Sequence, residues 1–289
     1  MTLPTIPGGW TKRDFVLAGQ TLRVTLPASP DAFLDDPDVL AANRRDDYMP
    51  YWSYLWPTSL ETAVAVLTHD WSRTSLPVRK GGPGGVGSTA NQSPTLVCNE
   101  SPSSNKPTAS RDACLTPPDP PLGREGKAGQ DPVGPGSPSC DKIEALEIGA
   151  GIALTGLAAL SRGLRVTFSD YDRRAIDLAL FNARENRLDR NAAGLLLDWR
   201  HPIDRQFPVI FGCDVIYETQ NHYPILGLLE TMLARDGQCW ISDPGRYHAD
   251  AFLALLADSP FSARHQTLVR EPYPGRPDGT TNLWVLTWK

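Results

Sequence analysis

Two periods of apolar spacing run through this 289-residue chain. From residue 143 onward, short and mainly apolar runs alternate with stretches of helical spacing. Residues 143–148 form one such run, after which Leu154, Leu157, Ala158 and Leu160 fall on one helical face. A short apolar run suits a strand buried on both faces, and the i, i+3, i+4 pattern suits a helix packed upon it. Further runs at 164–168, 195–199, 209–213 and 238–242 predict four more strands, and 265–270 with 282–288 predict a closing pair. This alternation of strand and helix predicts an α/β fold of the Rossmann-like kind, a seven-stranded sheet with helices on both faces.

Before residue 143 the pattern changes. Residues 15–17 and 21–26, around Ala18, Gly19 and Gln20, predict a hairpin. Residues 31–43 predict an acidic helix or helical turn, and 60–71 an amphipathic helix that Thr58 or Ser59 can cap. Between the two regions the pattern disappears. Residues 81–140 contain 10 Gly and 11 Pro and show no amphipathic period, so they cannot bury enough apolar surface to offset the entropy of ordering. The expected organisation is an N-terminal extension over 1–72, a disordered insertion over 73–140 and a core over 141–289. The glycines at 81, 82, 84 and 85 lack the Lys-Ser/Thr that a phosphate loop needs.

The densest chemistry lies where the first core strand ends. Glu147, Gly149 and Gly151 take the chain from strand into helix, and two glycines there permit a tight turn and close approach of a ligand to the helix N-terminus. A dinucleotide fingerprint would place a third glycine where Leu154 stands. Glu147 would also repel a pyrophosphate, whereas it suits a cofactor that carries an ammonium and a sulfonium, such as S-adenosylmethionine. Asp170 follows Glu147 by 23 residues at the end of the next strand, the spacing at which a carboxylate meets ribose hydroxyls.

With these residues in place, the sequence resembles class I S-adenosylmethionine-dependent methyltransferases. Residues 146–151 look like their first motif and 168–172 like the acidic end of their second strand, and residues 141–289 follow the pattern in order. Ala153 departs from the third glycine common in that motif. The resemblance implies a seven-stranded methyltransferase sheet, with Glu147, Gly149 and Gly151 at the methionine end of the cofactor and Asp170 at its ribose. It also implies that Asp198 and Trp199 frame the adenine. Tyr48, Tyr51, Trp52, Tyr54 and Trp56 put five aromatics in nine positions, and the wording around Pro50 to Pro57 resembles the family 16 lysine-methyltransferase branch. Its nearest likeness is to the lysine methyltransferases that act on the electron transfer flavoprotein beta subunit. By that resemblance Trp56 lines the cofactor pocket and its neighbours wall a lysine channel, where an ammonium gains from cation–π attraction. Asp214 and Tyr217 resemble the Asp/Glu-x-x-Tyr/Phe signature of the same branch and are implied as the catalytic pair, Asp214 orienting the amine and Tyr217 shaping the channel. Asp243, Pro244, Gly245 and Arg246 also look like the flavoprotein-directed subgroup. The expected activity is protein-lysine N-methylation. A methyltransferase for a small amine or heterocycle, or a cofactor-binding protein without turnover, is the alternative.

Charge and cysteine content narrow the setting. A net charge of −5 and a pI of 5.6 argue against a dedicated nucleic-acid binder. Cysteines 98, 114, 140, 213 and 239 have no short metal-type spacing, and their odd number points to reduced thiols. No run approaches the ~20 apolar residues of a membrane span. The expectation is a cytoplasmic monomer with a protein substrate, S-adenosylmethionine as cofactor and no metal.

Overall fold

The structure is a computed structural model that describes residues 2–46, 48–74, 142–269 and 279–289. The expected hairpin is present as β1 (Trp10–Leu17) and β2 (Gln20–Pro27), paired so that Leu17 faces Gln20. Ala18 and Gly19 between them both have positive φ, 47° and 78°, the conformation that two-residue hairpin turns need.

The predicted helical stretch 31–43 is two pieces, a 3-10 turn at Pro30–Asp35 and α1 (Pro37–Asp46). Pro37 causes the break. It holds Asp36 in an extended conformation, and the Asp36 carboxylate then accepts the N–H groups of Asp38 and Val39, starting a new helix. The amphipathic helix is α2 (Ser59–Thr68), which stops short of the predicted end. Trp71 turns back there, its indole N–H donating to the Val66 carbonyl at 3.0 Å.

The core continues through β3 (Glu144–Ile148), α3 (Leu154–Ser161), β4 (Arg165–Asp170), α4 (Arg173–Glu185) and β5 (Ala192–Leu196). After these come β6 (Phe207–Cys213), α5 (His222–Met232), β7 (Leu233–Asp243), α6 (Tyr247–Ala257), β8 (Phe261–Val269) and β9 (Thr280–Trp288). Strands β3 to β9 form one sheet in the order β5-β4-β3-β6-β7-β9-β8, parallel except for β9, which runs antiparallel to both its neighbours. This is the expected seven-stranded Rossmann-like sheet. The third strand lies three residues earlier than the sequence pattern suggested, because β5 is an edge strand whose burial is partial and whose Leu196 is exposed.

Helices cover both faces. Leu146 and Ile148 of β3 point into a cluster with α5 and α6, while Ala145 points into a second cluster with α2, α3 and the hairpin. The N-terminal residues thus share the core rather than standing apart. Asn182 of α4 and Asn186, its C-cap, each bond both main-chain groups of a β2 residue, Thr25 and Arg23 respectively, and so dock the hairpin. The expected insertion over 73–140 lies outside the described residues except for Arg73 and Thr74. No helix among the described residues is long and apolar enough to cross a membrane.

Strand order reverses between β3 and β6. The chain runs outward through β4 and β5 and then returns beside β3. Crevices of open α/β sheets form at such a reversal, beyond the carboxyl ends of the strands.

Candidate active site

A cavity of about 620 Å³ occupies that crevice, within the size range of small-ligand sites. Its floor is the turn after β3. Gly149 and Gly151 line it, with φ of 60° and 49°, left-handed values that a side chain resists. Space at Gly149 is short too, since a Cβ there would lie 3.1 Å from Trp199 and 3.2 Å from Val215. Over Gly151 a Cβ would stand 3.5 Å from the Trp52 carbonyl oxygen. Ala153 follows in the same left-handed region at φ 64°, where glycine would be unstrained. The departure noted in the sequence therefore sits on a strained residue.

Asp170, at the end of β4, lines the cavity and is buried. Its carboxylate accepts the N–H groups of Gly151 at 3.1 Å and Asp172 at 2.9 Å. Burial nevertheless pushes its pKa up to about 6. Asp198 and Trp199 also line the cavity, although they lie in the loop after β5 rather than on a strand. Asp198 holds Arg200 through both carboxylate oxygens, and that bond lowers its pKa.

Glu147 does not line the cavity. It stands at the end of β3, but its side chain turns away from the cavity in which the methionine end of the cofactor was expected. Side chains alternate across a strand, so Glu147 shares the face of Ala145 and lies beneath α3, level with Phe168 and Phe211 on the adjacent strands. There its carboxylate accepts the Gly156 N–H at 3.1 Å. Gly156 leaves the room for it, since a Cβ at that position would fall 2.4 Å from Glu147 Oε2. Burial pushes the Glu147 pKa up to about 8.

The roof is an aromatic strap, residues 48–58, pinned at both ends by an aspartate and an arginine. At one end the Tyr48 hydroxyl donates to Asp172, the N-cap of α4, and Arg174 bonds the same carboxylate at 2.9 Å. The Arg174 guanidinium lies 5.3 Å from the Trp52 ring centroid. At the other end Asp214, at the tip of β6 with φ 56°, accepts the Thr58 N–H at 3.0 Å and the Thr58 hydroxyl at 2.6 Å. Arg246 donates to Asp214 at 2.5 Å and to Asp243 at 3.0 Å, and its guanidinium lies 5.7 Å from the Trp56 ring. Thr58 precedes α2 as expected of a cap, but its hydroxyl serves Asp214 instead.

Trp56 and Tyr217 both line the cavity and stack at 6.4 Å with 12° between their planes, while Tyr51 meets Tyr217 edge-on at 5.2 Å. These three rings form one aromatic wall of the cavity, so that Trp56, expected to line the cofactor pocket, is stacked on Tyr217, expected to shape the acceptor channel. Asp214 lines the same cavity, yet its oxygens are largely committed to Thr58 and Arg246. It is therefore tied to the strap and to Arg246 rather than free, as the expected acceptor-orienting group would be. Burial raises its pKa against the lowering effect of Arg246 and Thr58. Cys213 lines the cavity as well, its thiol pushed up to about 12 by burial, which keeps it protonated. Among the described residues no cluster of His, Cys, Asp or Glu could hold a metal ion.

The sequence placed Asp172 only within the acidic end of the second strand, did not single out Arg174, and found in Arg246 only a mark of subgroup. Each arginine also bonds an aspartate two or three residues away, but Tyr48 stands 124 residues before Asp172 and Asp214 32 residues before Arg246, so no local pattern announces the clamps. The Asp172 N-cap was the one signal available.

A protein-family model described as lysine methyltransferase matches residues 127–258, a span that includes the glycine turn, Asp170, Asp214 and Arg246. A curated relative, the histidine protein methyltransferase 1 homolog of Dictyostelium discoideum, is 30% identical over 109 residues, covering 35% of this chain and 35% of that protein. The chain thus spans about a third of the length of the curated relative it matches. Among solved structures, the ribosomal protein L11 methylase of Lactobacillus delbrueckii subsp. bulgaricus is 18% identical with a TM-score of 0.41, over 53% of this chain and 72% of that one. The magnesium protoporphyrin IX methyltransferase of Synechocystis PCC 6803 is 18% identical with a TM-score of 0.42, over 50% of this chain and 70% of that one.

Proposed function

We propose that this chain is an S-adenosylmethionine-dependent protein N-methyltransferase with a lysine acceptor, and that the beta subunit of an electron transfer flavoprotein is the first target to try. The observation that carries the reading is a single cavity with a glycine cradle at one end and an aromatic wall at the other. The family match described as lysine methyltransferase supports it, as does the likeness of the strap and of residues 243–246 to the flavoprotein-directed subgroup.

The cradle fits a nucleoside cofactor. Gly149 and Gly151 let a ligand approach the main chain of the turn, where both hold left-handed backbone that a side chain resists. By the family likeness Asp170 would accept from ribose hydroxyls, and Asp198 with Trp199 would border the adenine; all three line the cavity. Bound S-adenosylmethionine supplies an activated methyl group on a sulfonium.

The chain's own residues do the rest by positioning. A lysine stem fits against Tyr51, Trp56 and Tyr217, and the faces of these rings attract an ammonium by ~0.5–2 kcal/mol. Asp214 and Asp243 share the single guanidinium of Arg246, which holds the edge of the wall. Lysine begins with a pKa of ~10.4 and must lose its proton before its lone pair can attack. Desolvation in the channel lowers that pKa. Holding acceptor and donor in near-attack geometry contributes roughly 7–11 kcal/mol.

A histidine acceptor is the second reading, favoured by the name of the curated relative. Incubation with methyl-labelled S-adenosylmethionine, the flavoprotein beta subunit and a protein extract, followed by peptide mass spectrometry, separates the possibilities. Label on lysine is the expected result. Label on histidine would reassign the acceptor, label only in small molecules would overturn the protein substrate, and binding without transfer would overturn catalysis.

A further inference from the structure

We propose that Arg246 is a positioning residue for the methyl acceptor, holding Trp56 and Asp214 in the geometry that forms the aromatic wall. This rests on the reading of that wall as the acceptor site. Arg246 opens α6, and its side chain is 25% exposed. It joins three elements. One guanidinium nitrogen reaches Asp214 at the tip of β6 and Asp243 at the tip of β7, while the planar group lies by Trp56 of the strap. Asp243 is itself fixed, accepting the N–H groups of Gly245 at 2.7 Å and Arg246 at 2.6 Å.

From Asp214 the connection continues inward. Thr58 donates to Asp214 and accepts from Ser242 at 2.9 Å, and Thr62 donates back to the Thr58 carbonyl at 2.8 Å. The start of α2 is thereby locked to the ends of β6 and β7. Trp56 lies two residues before Thr58, and its indole N–H is anchored on the Tyr51 carbonyl at 2.8 Å. Arg246 therefore sets where Trp56 stands, and through their stacking where Tyr217 stands. No cofactor-facing residue of the glycine turn takes part. The other end of the strap has its own clamp, Asp172 with Arg174, so the two ends can be perturbed separately.

A lysine at 246 would keep the charge and could still reach both carboxylates through one nitrogen, but it would lose the planar group that lies by the Trp56 indole. The test uses the full chain labelled with 5-fluorotryptophan, with the Trp56 resonance assigned by Trp56→Phe and the Trp52 resonance by Trp52→Phe. In Arg246→Lys the Trp56 resonance should shift or broaden while that of Trp52 stays. The acceptor KM should rise by roughly tenfold, with S-adenosylmethionine affinity little changed, because an interaction that positions only the acceptor appears in the acceptor constants. Thr58→Val should change the same quantities, and the double variant should fall short of the sum. An unmoved Trp56 resonance in Arg246→Lys would overturn the proposal. So would a parallel loss of cofactor affinity, which marks a general structural role. If the wild-type chain methylates no protein, the functional reading fails, and the two tryptophan resonances still decide the role of Arg246.

Discussion

Replacing Glu147 with Gln should remove most of the pH dependence of folding stability between about pH 6.5 and pH 8. The glutamate lies beneath α3, level with two phenylalanines, and its one bond to a main-chain N–H leaves burial dominant, so its pKa stands near 8. In the unfolded chain it titrates near 4.5. Between these values the native state keeps a proton that the unfolded state has lost, so stability falls as pH rises. The stabilisation is complete below the unfolded value and exhausted above about 8. Asp170, whose pKa is about 6, contributes the same sign at lower pH, His69, whose pKa burial lowers, contributes the opposite sign near its unfolded value of 6.5, and unfolded-state thiols enter above ~8.5, so the difference between wild type and the glutamine variant isolates Glu147. At ~1.4 kcal/mol per pH unit, the wild type should lose about 2 kcal/mol across it. That corresponds to a fall in melting temperature of roughly 4–8 °C. Glutamine keeps the shape and an acceptor for Gly156 but cannot ionise. Thermal and urea melts of both proteins across the window supply the comparison, and parallel curves would refute the assignment of this dependence to Glu147.

Gly156→Ala should destabilise by roughly 1–3 kcal/mol in a urea melt, because the added methyl would fall 2.4 Å from Glu147 and 2.5 Å from Phe168. S-adenosylmethionine affinity, measured by calorimetry, should fall as pH drops through about 6, since Asp170 accepts ribose hydroxyls best when ionised and its pKa lies there. A pH-independent affinity would remove Asp170 from the ribose site. Asp170→Ala should weaken cofactor binding by roughly 1.5–3 kcal/mol, whereas Asp214→Asn should leave it nearly unchanged while cutting methyl transfer by roughly tenfold or more. Paired calorimetry and single-turnover rates distinguish the two.

Most of the sheet was readable because a buried parallel strand is a short apolar run, and β3, β4, β6 and β7 are buried on both faces. The pattern failed where burial failed. At β5 the alternation is diluted by exposed residues, and the predicted strand slid toward the more apolar Leu195, Leu196 and Leu197. In the candidate site, position along the chain was easier to read than direction. Gly149, Gly151, Asp170, Asp198, Trp199, Asp214, Tyr217 and Trp56 all border one cavity, since each stands at or just beyond a strand end or in the strap. Glu147 also stands at a strand end, but the pleat turns it under α3. Counting residues from Ala145 gives that direction, and the expectation of a charge partner for the cofactor overrode the count. The Asp–Arg clamps were invisible for a different reason. Each contains a bond that only the fold makes, Tyr48 to Asp172 and Arg246 to Asp214, and a lone Asp, Arg or Tyr carries no sign of its distant partner.

The strap also has a history within each newly made chain. Its anchors lie far ahead in sequence: Tyr48 waits for Asp172, 124 residues later, and Thr58 for Asp214, 156 residues later. The floor, by contrast, is local, with Gly156 only nine residues from Glu147 and Gly151 nineteen from Asp170. At ~5–20 residues per second of synthesis, roughly eight to thirty seconds separate the appearance of Thr58 from that of its partner. Through that interval five large aromatic side chains have neither roof position nor cavity to enter. The price of an enclosed site built from the two ends of the sequence is a ribosome-bound stage in which its stickiest segment must be kept from other chains.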